Sequence, residues 1–185
     1  MTDVPVREDQ AVAVVDELAA ARRFRHVLGH VPTGVALITA STPAGPVGMA
    51  VNSFTSVSLD PPLVSFCAAH TSSTWPLVRA AGAFSVNVLG EDHSEVSRLF
   101  ARKGADRFAG LSHRPGATGA PVLDGVAAHL DCELYAEHAA GDHVIVLGRV
   151  VHLDADQGVR PLVFHGGNYC GLQVPALPSP RAGAL

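Results

Sequence analysis

A strand-like start that gives way to short hydroxyl and amide side chains, and then stops at paired prolines, is the part of this chain best suited to holding a ligand. It runs Gly48-Met49-Ala50-Val51-Asn52-Ser53-Phe54-Thr55-Ser56-Val57-Ser58-Leu59-Asp60-Pro61-Pro62, and the apolar Leu63-Val64 follows. Every buried polar group needs a partner, so a core strand has no use for so many. A surface loop has no use for the interleaved Val51, Phe54, Val57 and Leu59. The mixture suits a wall of backbone and short polar groups against which a flat polar ligand lies. Thr55, Ser56 and Ser58 also suit a capped turn before Asp60-Pro61, and on chemistry alone both readings stand.

Four further groupings could carry chemistry. Ser72-Ser73-Thr74 precedes a short helix that opens at Trp75-Pro76. Hydroxyls there cap the helix, and the free N–H groups favour a phosphate as well. Arg98, Arg102, Lys103 and Arg107 form the densest basic cluster, with Arg98 and Arg102 at i,i+4 on one helix face. Alone it reads as a solvated helix terminus; beside the Ser/Thr-rich helix start it reads as a second phosphate clamp. Gly141-Asp142-His143-Val144 places a histidine at the mouth of a strand, where it is either a polar rim residue or a donor to a bound carbonyl. His165-Gly166-Gly167-Asn168-Tyr169 adds paired glycines, which permit close backbone approach, and the ring edge of Tyr169.

Other chemistries lack their patterns. His26 and His30 share a helix face without an intervening glutamate or a third ligand, so the ten histidines show no metal-ligand spacing. There is no Gly-x-Ser-x-Gly elbow, no Walker loop and no Gly-x-Gly-x-x-Gly. A net charge of −4 and the lack of a Lys/Arg run argue against a nucleic-acid surface. Cys67, Cys132 and Cys170 are odd in number and far apart, and read as reduced, buried thiols of a cytoplasmic protein. No apolar run is long enough for a bilayer, and the acidic start Met1 to Gln10 is unlike a signal peptide.

At 185 residues and 48% apolar, the chain is large enough for one domain with its own core. Gln10 to Leu28 reads as a helix ending near Gly29, after a loose lead-in over residues 1–9. Strands are expected over Val35–Thr39, Gly48–Ser53, Leu63–Ala68, Phe84–Leu89 and Leu162–His165, with helices over Thr74–Ala81 and Asp92–Lys103. Two longer strands, Ala127–His138 and His143–Leu153, follow a Gly- and Pro-rich crossing from Gly110 to Pro121. In the first, Ala128, Leu130, Cys132 and Leu134 alternate with His129, Asp131, Glu133 and Tyr135, a half-buried antiparallel pattern. The sum is a mainly-β small barrel decorated with helices, with a frayed tail from Pro175.

In order and spacing these landmarks resemble the short flavin reductases of the FMN-binding split-barrel group, from about Phe24 to about Tyr169. Those carrying the resemblance are Pro32-Thr33-Gly34-Val35, the Gly48–Pro62 run, Ser72-Ser73-Thr74, Phe84–Leu89, Asp106-Arg107-Phe108, Gly141-Asp142-His143 and His165–Tyr169. The longer pattern of the pyridoxamine-phosphate oxidases, which share that fold, is not the one seen. Ala50 stands where threonine is frequent, a departure inside the proposed ligand wall.

The resemblance implies a six-stranded antiparallel split β-barrel over 24–173, flanked by a lead-in and helix over 1–23 and a flexible tail over 174–185. It implies a homodimer that passes hydride from NADH or NADPH to FMN or FAD, the reduced flavin then diffusing to a partner monooxygenase. By the same resemblance Thr33, Val51, Asn52, Ser53, Ser56 and Tyr169 contact the flavin, Ser73 and Thr74 its phosphate side, and Lys103 and Phe108 its tail. His143 seats the nicotinamide as the catalytic residue. A non-catalytic flavin-binding module, or a flavoenzyme acting directly on an organic substrate, are the competing readings.

Overall fold

The strand Ala36–Thr42 is buried along most of its length because it has a core on each side. Ala36, Ile38 and Ala40 enter one apolar cluster, while Leu37 enters another. Such doubly covered strands read as continuous apolar runs, not as alternation. The computed structural model describes residues 8–102 and 106–172. In chain order these form α1 (Glu8–Leu28), β1 (Thr33–Gly34), β2 (Ala36–Thr42), β3 (Gly45–Val51), β4 (Thr55–Leu59), β5 (Pro62–Ala69), α2 (Trp75–Ala81), β6 (Ala83–Val88) and α3 (Ser94–Ala101). There follow β7 (His113–Pro115), β8 (Pro121–Leu123), β9 (Ala128–Ala140), β10 (His143–Ala155), β11 (Leu162–His165) and β12 (Asn168–Gly171).

The main sheet is antiparallel throughout, in the order β3-β2-β6-β9-β10-β5-β4. The mainly-β architecture read from the sequence is therefore the one the chain forms, with seven strands in this sheet. The seventh is β4, which the hydroxyl run builds as an edge strand paired with β5 across the turn at Asp60-Pro61. Phe66, Phe84, Ile38, Val86 and Val146 fill the first cluster together with Trp75 and Val78 of α2. Because strands from β3 to β5 all contribute to it, the sheet curls around one shared core. A small sheet, β1-β11-β12, and the ribbon β7–β8 complete the described β-structure.

The outer face of the sheet carries a buried polar layer. Asn87 donates to Thr39 Oγ1 (3.0 Å) and to the Pro121 carbonyl (3.2 Å), and the Leu123 N–H donates back to Asn87 Oδ1 (2.8 Å). Ser85 donates to Asp131 Oδ1, and the Ala117 N–H donates to Asp131 Oδ2 (2.9 Å). These bonds fasten the segment from Ala117 through β8 onto the sheet, and they change the expected pattern of β9. His129 and Asp131, on the side read as polar and half-exposed, are 4% and 0% exposed because the ribbon covers them.

Burial, reinforced by Arg114, holds the His129 imidazole below its ordinary value near 6.5; burial does the same for His93. The unfolded chain therefore binds these protons more readily, so their contribution is whole above about pH 6.5 and is lost as pH falls below it. Urea midpoints in the presence of a chelator are expected to fall between about pH 7.5 and about pH 5.5, and His129→Gln is expected to flatten that slope. A midpoint independent of pH across this window would contradict the sign.

Several sequence readings shift in detail. Cys132 is buried and its thiol is pushed up to about 12 by burial and Asp131, but Cys67 is half-buried and Cys170 exposed, so only one of the three is core filler. The helix carrying Arg98 stops at Ala101, and Arg102 is already extended, so the two do not share a helix face. α1 begins at Glu8, two residues earlier than read. Residues 1–7 of the lead-in and the tail over 174–185 lie outside the described residues. No described helix is long and apolar enough to cross a membrane.

Candidate functional site

A groove of about 860 Å³ lies where the end of β3 faces the C-terminal half of α1. One wall is the connection after β3, Asn52 and Ser53. Ser53 Oγ accepts the Cys67 N–H (2.9 Å), which pins this connection to β5. The other wall is Phe24, Leu28 and Val31, with Phe164 of β11 between the two. Asp142 and His143 close one end. Thr33, on β1, pairs with Phe164 and also lines the groove. Its hydroxyl is buried without a hydrogen-bond partner, which leaves a donor and acceptor unspent beside the opening.

A smaller cavity of about 160 Å³ shares Asn52 and Phe164 with the groove and continues it past Ala50, Val51 and Tyr169. Tyr169 is held from both sides. Its hydroxyl is bonded to Ser97 Oγ (2.8 Å), its ring lies 5.3 Å from that of Phe164, and the Arg98 guanidinium sits 5.0 Å from its centroid. Val51 is buried and Asn52 exposed, so the wall passes from core to open surface within one residue.

His143 is the first residue of β10, following the two-residue turn Gly141-Asp142, in which Gly141 takes φ +63°. A left-handed residue is needed there, and glycine adopts it without steric cost. His143 Nδ1 lies 2.7 Å from Asp142 Oδ1. A carboxylate only accepts, so Nδ1 donates in this bond and Nε2 is left for another partner. The hydrogen bond and charge of His143 hold the Asp142 carboxyl below the usual carboxylate range.

The remaining expected residues lie elsewhere. Thr74 and Phe108 line a separate cavity of about 220 Å³ with Gly48, Asp106 and Arg107. There Arg107 donates to the Gly48 carbonyl (2.7 Å) and Thr74 Oγ1 (3.1 Å), and also to the Arg102 carbonyl. Ser73 is exposed at the start of α2, where Ser72, not Thr74, accepts the Trp75 N–H (3.1 Å). Ser56 is exposed on β4, away from the lining of the groove. Lys103 lies outside the described residues. The groove thus unites Thr33, Asn52, Ser53 and His143, with Val51 and Tyr169 in its extension.

Sequence reasoning missed the wall supplied by α1. Phe24 and Leu28 are 66% and 50% exposed. Their signal was available: large apolar residues among Arg22, Arg23, Arg25 and His26 have no reason to sit on a solvated helix unless something lies against them. Phe164, in the strand just before the His165–Tyr169 motif, carried no site signal of its own.

Residues 28–173 match the family model described as flavin reductase like domain. A flavin reductase of Pseudomonas putida is 44% identical over 162 residues, which are 87% of this chain and 95% of that protein. Component B of a nitrilotriacetate monooxygenase from Mycobacterium thermoresistibile has a similar crystal structure, with a TM-score of 0.83 at 40% identity over 91% of this chain and 98% of that one. An NADH:FAD oxidoreductase of Streptomyces globisporus C-1027, solved with NAD and FAD fragments, gives a TM-score of 0.77 at 34% identity, covering 88% and 94%.

Proposed function

We infer, from the premise that this chain belongs to the family of flavin reductase like domains, that it is an NAD(P)H:flavin oxidoreductase that reduces FMN or FAD and supplies the reduced flavin to a separate monooxygenase. The observation that carries this reading is the groove between the end of β3 and α1. It is apolar on its broad sides and carries short polar groups at Thr33, Asn52 and Ser53, the distribution that a flat heteroaromatic ring with a polar edge requires. The unpartnered hydroxyl of Thr33 fits such a ligand, because a buried polar group without a bond costs roughly 1–3 kcal/mol until one is supplied.

When bound, flavin supplies the hydride acceptor and reduced nicotinamide the donor. The work left to the protein is orientation and exclusion of water. Val51, Asn52 and Ser53 line the ring in this reading, Thr33 meets its edge, and Tyr169 closes the far end. Phe24, Leu28 and Phe164 keep water off the reacting face. His143, held by Asp142 through Nδ1, offers Nε2 to the carboxamide of the nicotinamide. Ser73, Thr74, Phe108 and Lys103 are assigned to the phosphate and tail of the flavin, and Ser56 to its outer side.

The functional unit in this reading is the domain over 24–173, working as a homodimer in the cytoplasm, where reduced nicotinamide is at hand. The exposed Val57 and Leu59 on the edge strand β4 support such an assembly, since large apolar residues at a sheet edge are commonly covered.

The decisive experiment is oxidation of NADH and of NADPH by the purified protein, with FMN, FAD and riboflavin added in turn. Turnover that depends on added flavin supports the reading and names both cofactors. Flavin binding without oxidation of either nucleotide would replace it with a binding module. His143→Ala is expected to lower kcat by about tenfold while the flavin Kd stays put, the mark of a lost interaction in the reacting complex. An unchanged kcat would remove His143 from the site.

A further inference from the structure

The far end of the β9–β10 hairpin gathers a second constellation that the sequence spacing hid. His129 and Asp131 are two residues apart on β9 and so share its outer face. On β10, a bulge at Val151 shifts the register, so that Val150 pairs with Cys132 but His152 pairs with Asp131 and Asp154 with His129. Without that extra residue His152 would pair with Leu130 and point to the other side of the sheet. With it, two histidines and two carboxylates stand as a square on one face.

We propose that His129, Asp131 and His152 form a binding site for a divalent first-row transition-metal ion of the zinc type. One ligand atom from each of the three lies within 4.8 Å of the others. His152 Nδ1 and Asp131 Oδ2 are 3.6 Å apart, close to the roughly 3.4 Å that separates ligand atoms around a tetrahedral ion with bonds of about 2.1 Å. The independent sign of a missing ligand is His129, which is 4% exposed and whose Nε2 has no hydrogen-bond partner among the described residues. Asp131 is positioned as metal-binding carboxylates are: Ser85 donates to one oxygen and the Ala117 N–H to the other, which fixes the plane while leaving lone pairs free.

The neighbouring cavity, of about 400 Å³, is lined by His129 and gives an entry path. Its charged lining is Arg114 against the three carboxylates of Asp124, Asp154 and Asp156. Nothing in hydride transfer uses these residues. The ion's role is mechanical: it links β9 to β10 and, through Asp131 and Ala117, to the ribbon.

The test is titration of the untagged, chelator-stripped full chain with Co²⁺, followed by displacement with Zn²⁺. The expected result is one Co²⁺ per chain with intense visible ligand-field bands, and a Tm that rises with Zn²⁺ concentration. His152 is half-exposed, so His152→Gln should remain folded while its Co²⁺ affinity falls by at least about tenfold. His26→Gln/His30→Gln, which removes the other close histidine pair, should bind as the parent does. Absence of Co²⁺ bands in the parent protein, or the same titration with His152→Gln, would reduce the cluster to a His152–Asp131 ion pair and overturn the proposal.

Discussion

Phe66→Ala is expected to lower the stability of this protein by about 3–5 kcal/mol. Phe66 is fully buried at the middle of the first core, edge-on to Trp75 (centroids 5.6 Å apart) and to Phe84 (5.5 Å). Trp75 has limited freedom to follow into the space left, because its Nε1–H donates to Glu137 Oε1 (3.0 Å). Phe84 is held by the sheet on both sides, through β2 and β9. The cavity therefore stays open, and the cost lies towards the upper end of what such truncations show. In a domain of this size the loss corresponds to a Tm lower by roughly 6–20 °C. Phe24→Ala is the natural contrast: the residue is largely exposed, so the stability should change by less than about 0.5 kcal/mol while flavin binding weakens. Equal destabilisation by the two changes would mean that α1 is part of the core and not a wall of the site.

The second large effect is expected at Asp131. Asp131→Ala leaves the buried Ser85 hydroxyl without its partner, at roughly 1–3 kcal/mol, and removes the part-buried bond from the Ala117 N–H, worth about 1 kcal/mol. The total, about 2–4 kcal/mol, should appear as an earlier urea midpoint measured in chelator, so that bound metal plays no part. Gly116→Ala tests the same contact from the other side. A methyl group there would stand 2.2 Å from Asp131 Oδ1, closer than any real contact, and the carboxylate is tied too firmly to step aside. It should destabilise by about 1–3 kcal/mol. Wild-type stability for both variants would show that the ribbon is not held through Asp131.

Much of this fold was legible because two signals coincide along β9 and β10. Alternating apolar residues set β9, a run of β-branched and apolar residues sets β10, and Gly141-Asp142 marks the turn between them. The helix Trp75–Ala81 was equally plain, with hydroxyls before it and Gly82 after. What stayed hidden depends on partners distant in sequence. Thr55 to Leu59 alternates Val57 and Leu59 with Ser56 and Ser58, but over too few residues to tell a strand from a capped turn, and it becomes β4 because β5 offers it an edge. His129 and Asp131 look like the wet side of a strand until the ribbon from His113 to Leu123 is laid over them. The bulge at Val151 leaves no mark in a hydropathy pattern, yet it decides which way His152 faces. Thr33, Asn52, Ser53 and His143 were all named from sequence and do meet at one groove, whereas α1, the wall opposite, read as a mere preface.

The hairpin that carries His143 at its turn carries His152 nine residues further along the same strand. At about 3.3 Å per residue that is a separation of roughly 30 Å, three or more screening lengths at physiological salt. The two histidines are thus electrically deaf to one another although one strand bears both. Charge placed or removed at one end is a silent change at the other, so each end serves as the internal control for experiments on its counterpart.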